Sequence, residues 1–194
     1  MDEIVKHALD EHLLEVYYQP IYSPALGRYI SAEALLRLHH PQKGFISPVE
    51  FIPAAEHNGM IIRIGQFVLN EVCRMLKETD AVSCGIEYVE VNLSIVECIQ
   101  SDLAENVIRT LERNRVLPKR INLEITESAE SLSGMIHENI TRLSEEGFSF
   151  SLDDFGTGYS NLMRTIELPI SIVKLDKSLI GPAIRSTRAY DVLT

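Results

Sequence analysis

The sequence is poor in the features that mark exported, membrane-spanning or nucleic-acid-binding chains. Its three cysteines, Cys73, Cys84 and Cys98, fall in no Cys-x-x-Cys spacing. An odd, scattered set supports neither a disulfide framework nor a zinc site, and reads as reduced thiols of a cytoplasmic protein. No apolar run approaches the roughly 18 residues of a membrane span, so no membrane segment is expected, and the opening MDEIVKHALDEH is not a signal peptide. Positive charge is scarce: 18 Lys and Arg stand against 28 Asp and Glu, a formal net charge of −10. That argues against long nucleic acid as a partner. It leaves room for a small phosphorylated ligand, because metal ions can supply positive charge locally. Low-complexity tracts and interior linkers are also missing. What remains is 194 residues, 45% hydrophobic, enough for one substantial core and a single domain over 1–194.

The chain alternates strand with helix. VYYQPIY (16–22) and RYISAEALLRL (28–38) read as strands joined by a turn at Ser23–Gly27. Ser47-Pro48-Val49-Glu50 reads as a helix start, with Ser47 as cap, Pro48 at the first helical position and Glu50 closing a capping box. A longer amphipathic helix is expected around Ile62–Lys77, then strand 88–94, helix 103–114, strand 120–127, helix 132–146 closed by Gly147, strand 148–154, a helix near 159–167 and strand 171–176. Asn92 to Glu124 is 124 − 92 = 32 residues and Glu124 to Asp153 is 153 − 124 = 29, each close to the roughly 30 of a βαβ unit. Six strands in this rhythm mean an α/β fold with a parallel sheet and helices packed outside.

Strand side chains alternate faces. Apolar residues such as Val89, Val91, Ile121, Leu123, Phe150 and Leu152 share one side; Glu90 and Asn92, Glu124, and Ser151 and Asp153 share the other. Glu33 with Arg37, and Lys174 with Asp176, also pair by parity. Each polar residue alone has an ordinary reading: Glu33 as a rim ion pair to Arg37, Asn92 as a turn residue, Lys174 as a neutraliser of Asp176. His39 and His40, before Pro41, read as loop residues. Recurring at the ends of successive strands, Glu33, Asn92, Glu124, Asp153 and Lys174 converge where active sites of parallel α/β barrels lie. Converging carboxylates repel unless a cation offsets them, and an oxygen-only set without His or Cys suits Mg²⁺ or Mn²⁺. Adjacent Asp153 and Asp154 would face opposite ways in a regular strand; a turn at Asp154 would bring both to one metal pair. A kinase reading of Asp154-Phe155-Gly156 fails, since no glycine-rich loop, strand lysine or His-Arg-Asp loop precedes it.

YQPI (18–21), EALLR (33–37), ISPVEFIPAAE (46–56), VNLS (91–94), LEITES (123–128), DDFGTGYSNL (153–162) and KLDKS (174–178) resemble, in order and spacing, the motifs of the EAL domain. The resemblance implies a TIM-type barrel with an antiparallel first strand and hydrolysis of cyclic di-GMP to linear pGpG with Mg²⁺ or Mn²⁺ at a two-metal site. It implies metal ligation by Glu33, Asn92, Glu124, Asp153 and Asp154, and Lys174 orienting or deprotonating the attacking water. It further implies substrate contacts from Gln19 and Arg37, support of the Asp153–Ser160 loop by Glu127, and a homodimer through the loop after Asp154.

Two family motifs, a Glu in Glu-Gly-Val-Glu and a Gln in Gln-Gly, should follow Lys174 and do not occur before Thr194. The expectation is therefore a barrel lacking its last two βα units, with its second metal site incomplete. Met1 ahead of a first helix is expected to be a true boundary, and a parent protein with an upstream sensor or cyclase domain is compatible with it. The alternative is a catalytically inactive cyclic di-GMP receptor or a protein-interaction scaffold. Retention of every metal-binding acid up to Lys174 favours the enzyme.

Overall fold

Alternation of apolar and polar residues gives the chain its first structure, a long hairpin. In the computed structural model, which describes residues 1–126, 134–156 and 168–180, helix α1 (Asp2–His7) leads into β1 (Leu14–Ser23) and β2 (Arg28–His40). The turn between them closes through Gly27 N–H to the Ser23 carbonyl, with Gly27 at φ +65°. Leu14, Val16 and Tyr18 face the core, as do their cross-strand partners Leu38, Leu36 and Ala34. Glu15, Tyr17 and Gln19 share the other face with Arg37, Leu35 and Glu33, their cross-strand partners.

The rest follows the expected strand and helix rhythm. A short β3 (Gly44–Ile46) precedes α2 (Pro48–His57) and α3 (Met60–Glu78). Then come β4 (Tyr88–Asn92), α4 (Ile95–Cys98), α5 (Leu103–Asn114), β5 (Ile121–Thr126), α6 (Gly134–Glu145), β6 (Ser149–Phe155) and β7 (Ile170–Leu175). The sheet order is β1-β2-β4-β5-β6-β7, with β3 beside β2. β1 runs antiparallel to β2, and every later pair along that path is parallel. Helix α3 places Ile61, Ile64, Val68, Val72 and Leu76 at three- and four-residue steps on its buried side. These meet Leu123, Phe150 and the buried stripes of α5 and α6, among them Leu111, Ile136 and Ile140. One apolar layer thus lies between helices and sheet, leaving the opposite sheet face to polar residues.

The sequence expectations need three corrections. Seven strands are described, not six, because Phe45 and Ile46 extend the sheet by pairing with His39 and Leu38. His39 and His40 therefore end β2 and are not loop residues; the His39 ring stacks on Tyr17, 6.4 Å between centroids. Ser47 is the first cap of α2, but its side chain makes no cap hydrogen bond; Glu50 N–H is bound by the Ser47 carbonyl. The expected helix near 159–167 lies outside the described residues.

The capping box occurs instead at α4. Ser94 Oγ accepts from Val96 N–H at 3.1 Å, and Glu97 Oε2 accepts from Ser94 N–H at 3.0 Å. Ser94 Oγ also donates to Glu56 Oε1 of α2 at 2.7 Å. Glu97 is tucked against Gly65 of α3, where an added Cβ would lie 1.8 Å from Glu97 Oε1. A side chain at position 65 would require the Glu97 carboxylate to move. Burial pushes the Glu97 carboxyl up to about 8; the Ser94 hydrogen bond opposes this and the Glu56 charge adds to it.

This buried acid predicts a pH dependence of stability. The ordinary value is 4.5 and the folded value about 8, so between them the native chain holds a proton that the unfolded chain releases. The contribution is fully present below 4.5 and is lost as pH rises through about 8. Glu97→Gln keeps an acceptor for Ser94 N–H without a charge. Urea unfolding at pH 5, 7 and 9 should show the wild type losing about 2–4 kcal/mol relative to Glu97→Gln across that range. Parallel pH profiles would count against it.

Candidate metal centre

The polar face of the sheet collects acids because the strands pair in a register that sets like positions side by side. Glu33 of β2 is the Cα partner of Glu90 on β4, and Asn92 of β4 is the partner of Glu124 on β5. On β6, Ser151 pairs with Glu124 and Asp153 with Thr126. β7 presents Ile172 beside Ser151 and Lys174 two residues further on.

Glu33, Glu90 and Glu124 each offer an oxygen within 4.8 Å of the others'. Lys174 reaches into the same place. Its Nζ lies 2.6 Å from Glu90 Oε2 and 3.6 Å from Glu33 Oε2, and it contacts Glu124 Oε1. The Glu124 side chain is 0% exposed and that of Glu90 3%, so both carboxylates depend on protein partners. The contacts meet ion-pair distance but not hydrogen-bond angles: Glu90 Oε2 and both Glu124 oxygens are buried without a directional donor. Asn92 Nδ2 donates to Glu33 Oε1 at 3.1 Å. Beneath this group, Ser151 Oγ donates to Asn122 Oδ1 at 2.7 Å and Asn122 Nδ2 donates to Ser149 Oγ at 3.1 Å.

Three carboxylates facing one ammonium leave a deficit of positive charge. Burial pushes the Glu124 carboxyl up to about 8, with Lys174 pulling down and Glu90 and Glu33 pushing up. Burial opposes the Lys174 ammonium as well, but its contacts with Glu124 and Glu90 win and hold it above the ordinary lysine value. The two shifts differ in origin: burial raises the Glu124 carboxyl against the pull of Lys174, whereas the neighbouring carboxylates raise the Lys174 ammonium against burial.

Asp153 and Asp154 stand apart from this trio. Between the pairs Leu152–Val173 and Phe155–Leu175, β6 advances three residues and β7 two. The extra residue is a bulge, and it is carried by Asp154 at φ +55°. The bulge breaks the alternation that would have sent the two carboxylates to opposite faces. The Asp154 carboxyl is raised by burial and by the charges of Asp153 and Asp176, against a lowering by Lys174.

Gln19 is exposed on the polar face directly across from Glu33. Arg37, two residues beyond Glu33, donates to the Leu36 carbonyl and holds its guanidinium 5.8 Å from the Tyr17 ring centroid. It does not pair with Glu33, whose partners are Lys174 and Asn92. Asp176 receives the Ser178 N–H at 2.8 Å, leaving Lys174 to the carboxylates. Arg37, Pro48, Glu56, Asn92, Glu97 and Glu124 border a cavity of about 310 Å³ beside the centre. Glu127 lies outside the described residues. Glu90 was not singled out in the sequence, although its parity with Asn92 signals the same face.

The donor set fits a hard divalent cation. All candidate ligands offer oxygen, and the buried oxygens without directional donors are the ones a cation would satisfy.

Comparison with known proteins gives a consistent picture. A model of the EAL domain matches residues 2–194. The bifunctional diguanylate cyclase/cyclic di-GMP phosphodiesterase MucR of Pseudomonas aeruginosa is 38% identical over 181 residues, 91% of this chain and 26% of that protein. Cyclic di-GMP phosphodiesterase NbdA of the same organism is 36% identical over 195 residues, 99% of this chain and 25% of that protein. The chain thus spans about a quarter of the length of these curated relatives. A solved PaMucR phosphodiesterase in complex with c-di-GMP is similar with a TM-score of 0.88 and 34% identity, covering 98% of this chain and 77% of that one.

The polar floor predicts a stability effect. Ser151→Ala removes the donor to a buried amide oxygen, Asn122 Oδ1. Urea unfolding should show a loss of about 1–3 kcal/mol, the cost of an unsatisfied buried polar atom. An unchanged midpoint would contradict the packing described.

Proposed function

The chain belongs to the EAL domain family, and from that premise we propose that it is a metal-dependent phosphodiesterase that hydrolyses cyclic di-GMP to linear pGpG. The observation that carries the reading is the meeting of Glu33, Glu124 and Lys174 on the polar face, next to Asn92 and one strand from the Asp153–Asp154 bulge. The similar proteins bear names that include this activity.

Each residue has a task. Glu33, Asn92, Glu124 and Asp153 would hold Mg²⁺ or Mn²⁺, with Asp154 contributing to a second site. Ions held there would supply an acidified water and positive charge against that developing on the phosphate. Asn92 fixes the Glu33 carboxylate through its amide. Lys174, an ammonium flanked by carboxylates, orients the attacking water as a donor; deprotonation, the other role implied by the resemblance, would need it neutral. Arg37 and Gln19 border the centre on the hairpin, where a guanidinium and an amide suit phosphate and purine edges. Among the described residues no helix is long and apolar enough to cross a membrane. A cytoplasmic setting, a homodimer through the loop after Asp154 and a parent protein carrying sensor or cyclase segments belong to the same reading.

Chromatography of products from cyclic di-GMP with Mn²⁺ or Mg²⁺ tests it. The wild type should yield pGpG, excess chelator should stop it, and Asp153→Ala should lower the rate by about two orders of magnitude or more. Calorimetric binding of cyclic di-GMP by folded chain without product would replace the hydrolase with a receptor. Turnover undiminished in chelator would remove the metal from the reading.

A further inference from the structure

Glu90 is the one carboxylate of the cluster that the proposed reaction does not use. It lies two residues before Asn92 on the same face of β4, roughly 6–7 Å deeper along the strand. Its Cα partners are Glu33 on one side and Asn122 on the other. It is 2% exposed. A carboxylate so buried is costly unless a cation or donors meet it, and the cation beside it is Lys174, at 2.6 Å.

Lys174 occupies a contested position. Its ammonium sits among oxygens of Glu33 and Glu124, two of the groups assigned to a divalent cation. An ammonium and a metal ion cannot share those oxygens without strong repulsion. When Glu33 and Glu124 turn their charge to a metal, Lys174 loses two of its three carboxylate contacts. Glu90, deeper than the other candidate ligand on its strand, is the contact it keeps.

We propose that Glu90 is a positioning residue that holds the Lys174 ammonium on the floor of the centre, clear of the metal, and so lets metal and ammonium coexist there. The proposal rests on the metal reading above. It assigns Glu90 neither substrate contact nor proton transfer.

Two double-mutant cycles test it, each over wild type, Glu90→Gln, Lys174→Met and the double variant. The first is urea unfolding in excess chelator. The Glu90–Lys174 pair should show coupling, with the double variant more stable than additivity predicts. The second is calorimetric titration with Mn²⁺ alone. Glu90→Gln should weaken Mn²⁺ binding by about tenfold, because the ammonium is left competing for Glu33 and Glu124. Lys174→Met should then restore binding by a larger factor in the Glu90→Gln background than in the wild type. Equal factors in both backgrounds would show that Glu90 acts only as one more negative charge, and would overturn the proposal. So would wild-type affinity in Glu90→Gln. Wild-type chain that binds no Mn²⁺ would sink the metal reading, whereas absent coupling in chelator would sink the Glu90–Lys174 pairing whatever the metal does. If Lys174→Met does not fold, Lys174→Gln serves as the neutral member of both cycles.

Discussion

The contact of Lys174 with three carboxylates is the interaction around which the polar half of this molecule is built. Each group comes from a different strand: Glu33 from β2, Glu90 from β4, Glu124 from β5 and Lys174 from β7. No local propensity brings them together. They meet because the parallel register sets equivalent positions side by side, and because the helices hold the apolar face of each strand outward. Buried like charges repel steeply, so the arrangement survives only with a cation among them. The chain supplies one positive charge against three negative ones. An excess of buried negative charge is a poor way to stabilise a fold and a good way to attract a divalent ion.

The Asp153–Asp154 bulge solves a different problem with backbone. Two adjacent acids in a regular strand cannot serve one site, since successive side chains face opposite ways. The extra residue in β6 and the left-handed conformation of Asp154 cancel that alternation. Aspartate tolerates this region better than most residues, and Gly156 at φ +98° continues the turn. The strain is placed at the strand end where it re-aims a carboxylate, a common use of bulges beside functional sites.

How much of this could be read beforehand depends on what each signal measures. Spacing of about 30 residues between Asn92, Glu124 and Asp153 revealed the parallel sheet, because a βαβ unit has a nearly fixed length. Parity gave the polar face, since alternation is geometry and not propensity. The antiparallel first strand came only with the family resemblance. Parity could not rank depth, so Glu90 looked no different from any other alternating acid; its importance comes from Lys174, more than 80 residues away in the chain. Capping chemistry was found at the wrong serine. Ser47 and Ser94 are each followed three residues later by Glu, and only at Ser94 does the chain fold so that the box closes, with Glu97 buried behind it. Likewise Arg37 was the obvious partner of Glu33 by sequence distance, yet it turns to Leu36 and Tyr17 because Asn92 and Lys174 already take the carboxylate.

Two of the three buried acids among the described residues, Glu97 and Glu124, separate structure from function on physical grounds alone. Both are pushed up to about 8 by burial. Glu97 packs against the α-carbon of Gly65, closes a helix start and has no basic side chain among the charges that shift it. Neutralised by a proton, it is finished as a structural element. Glu124 is given an ammonium instead, and its oxygens remain without directional donors. A proton completes the first acid, and nothing further is gained there. The second is crowded by Glu33 and Glu90 and only partly compensated by Lys174, so a divalent cation gains more at that point than at Glu97. Whether a buried carboxylate is given a proton or a shared cation therefore distinguishes, within one chain, an acid that holds the fold from an acid poised to bind.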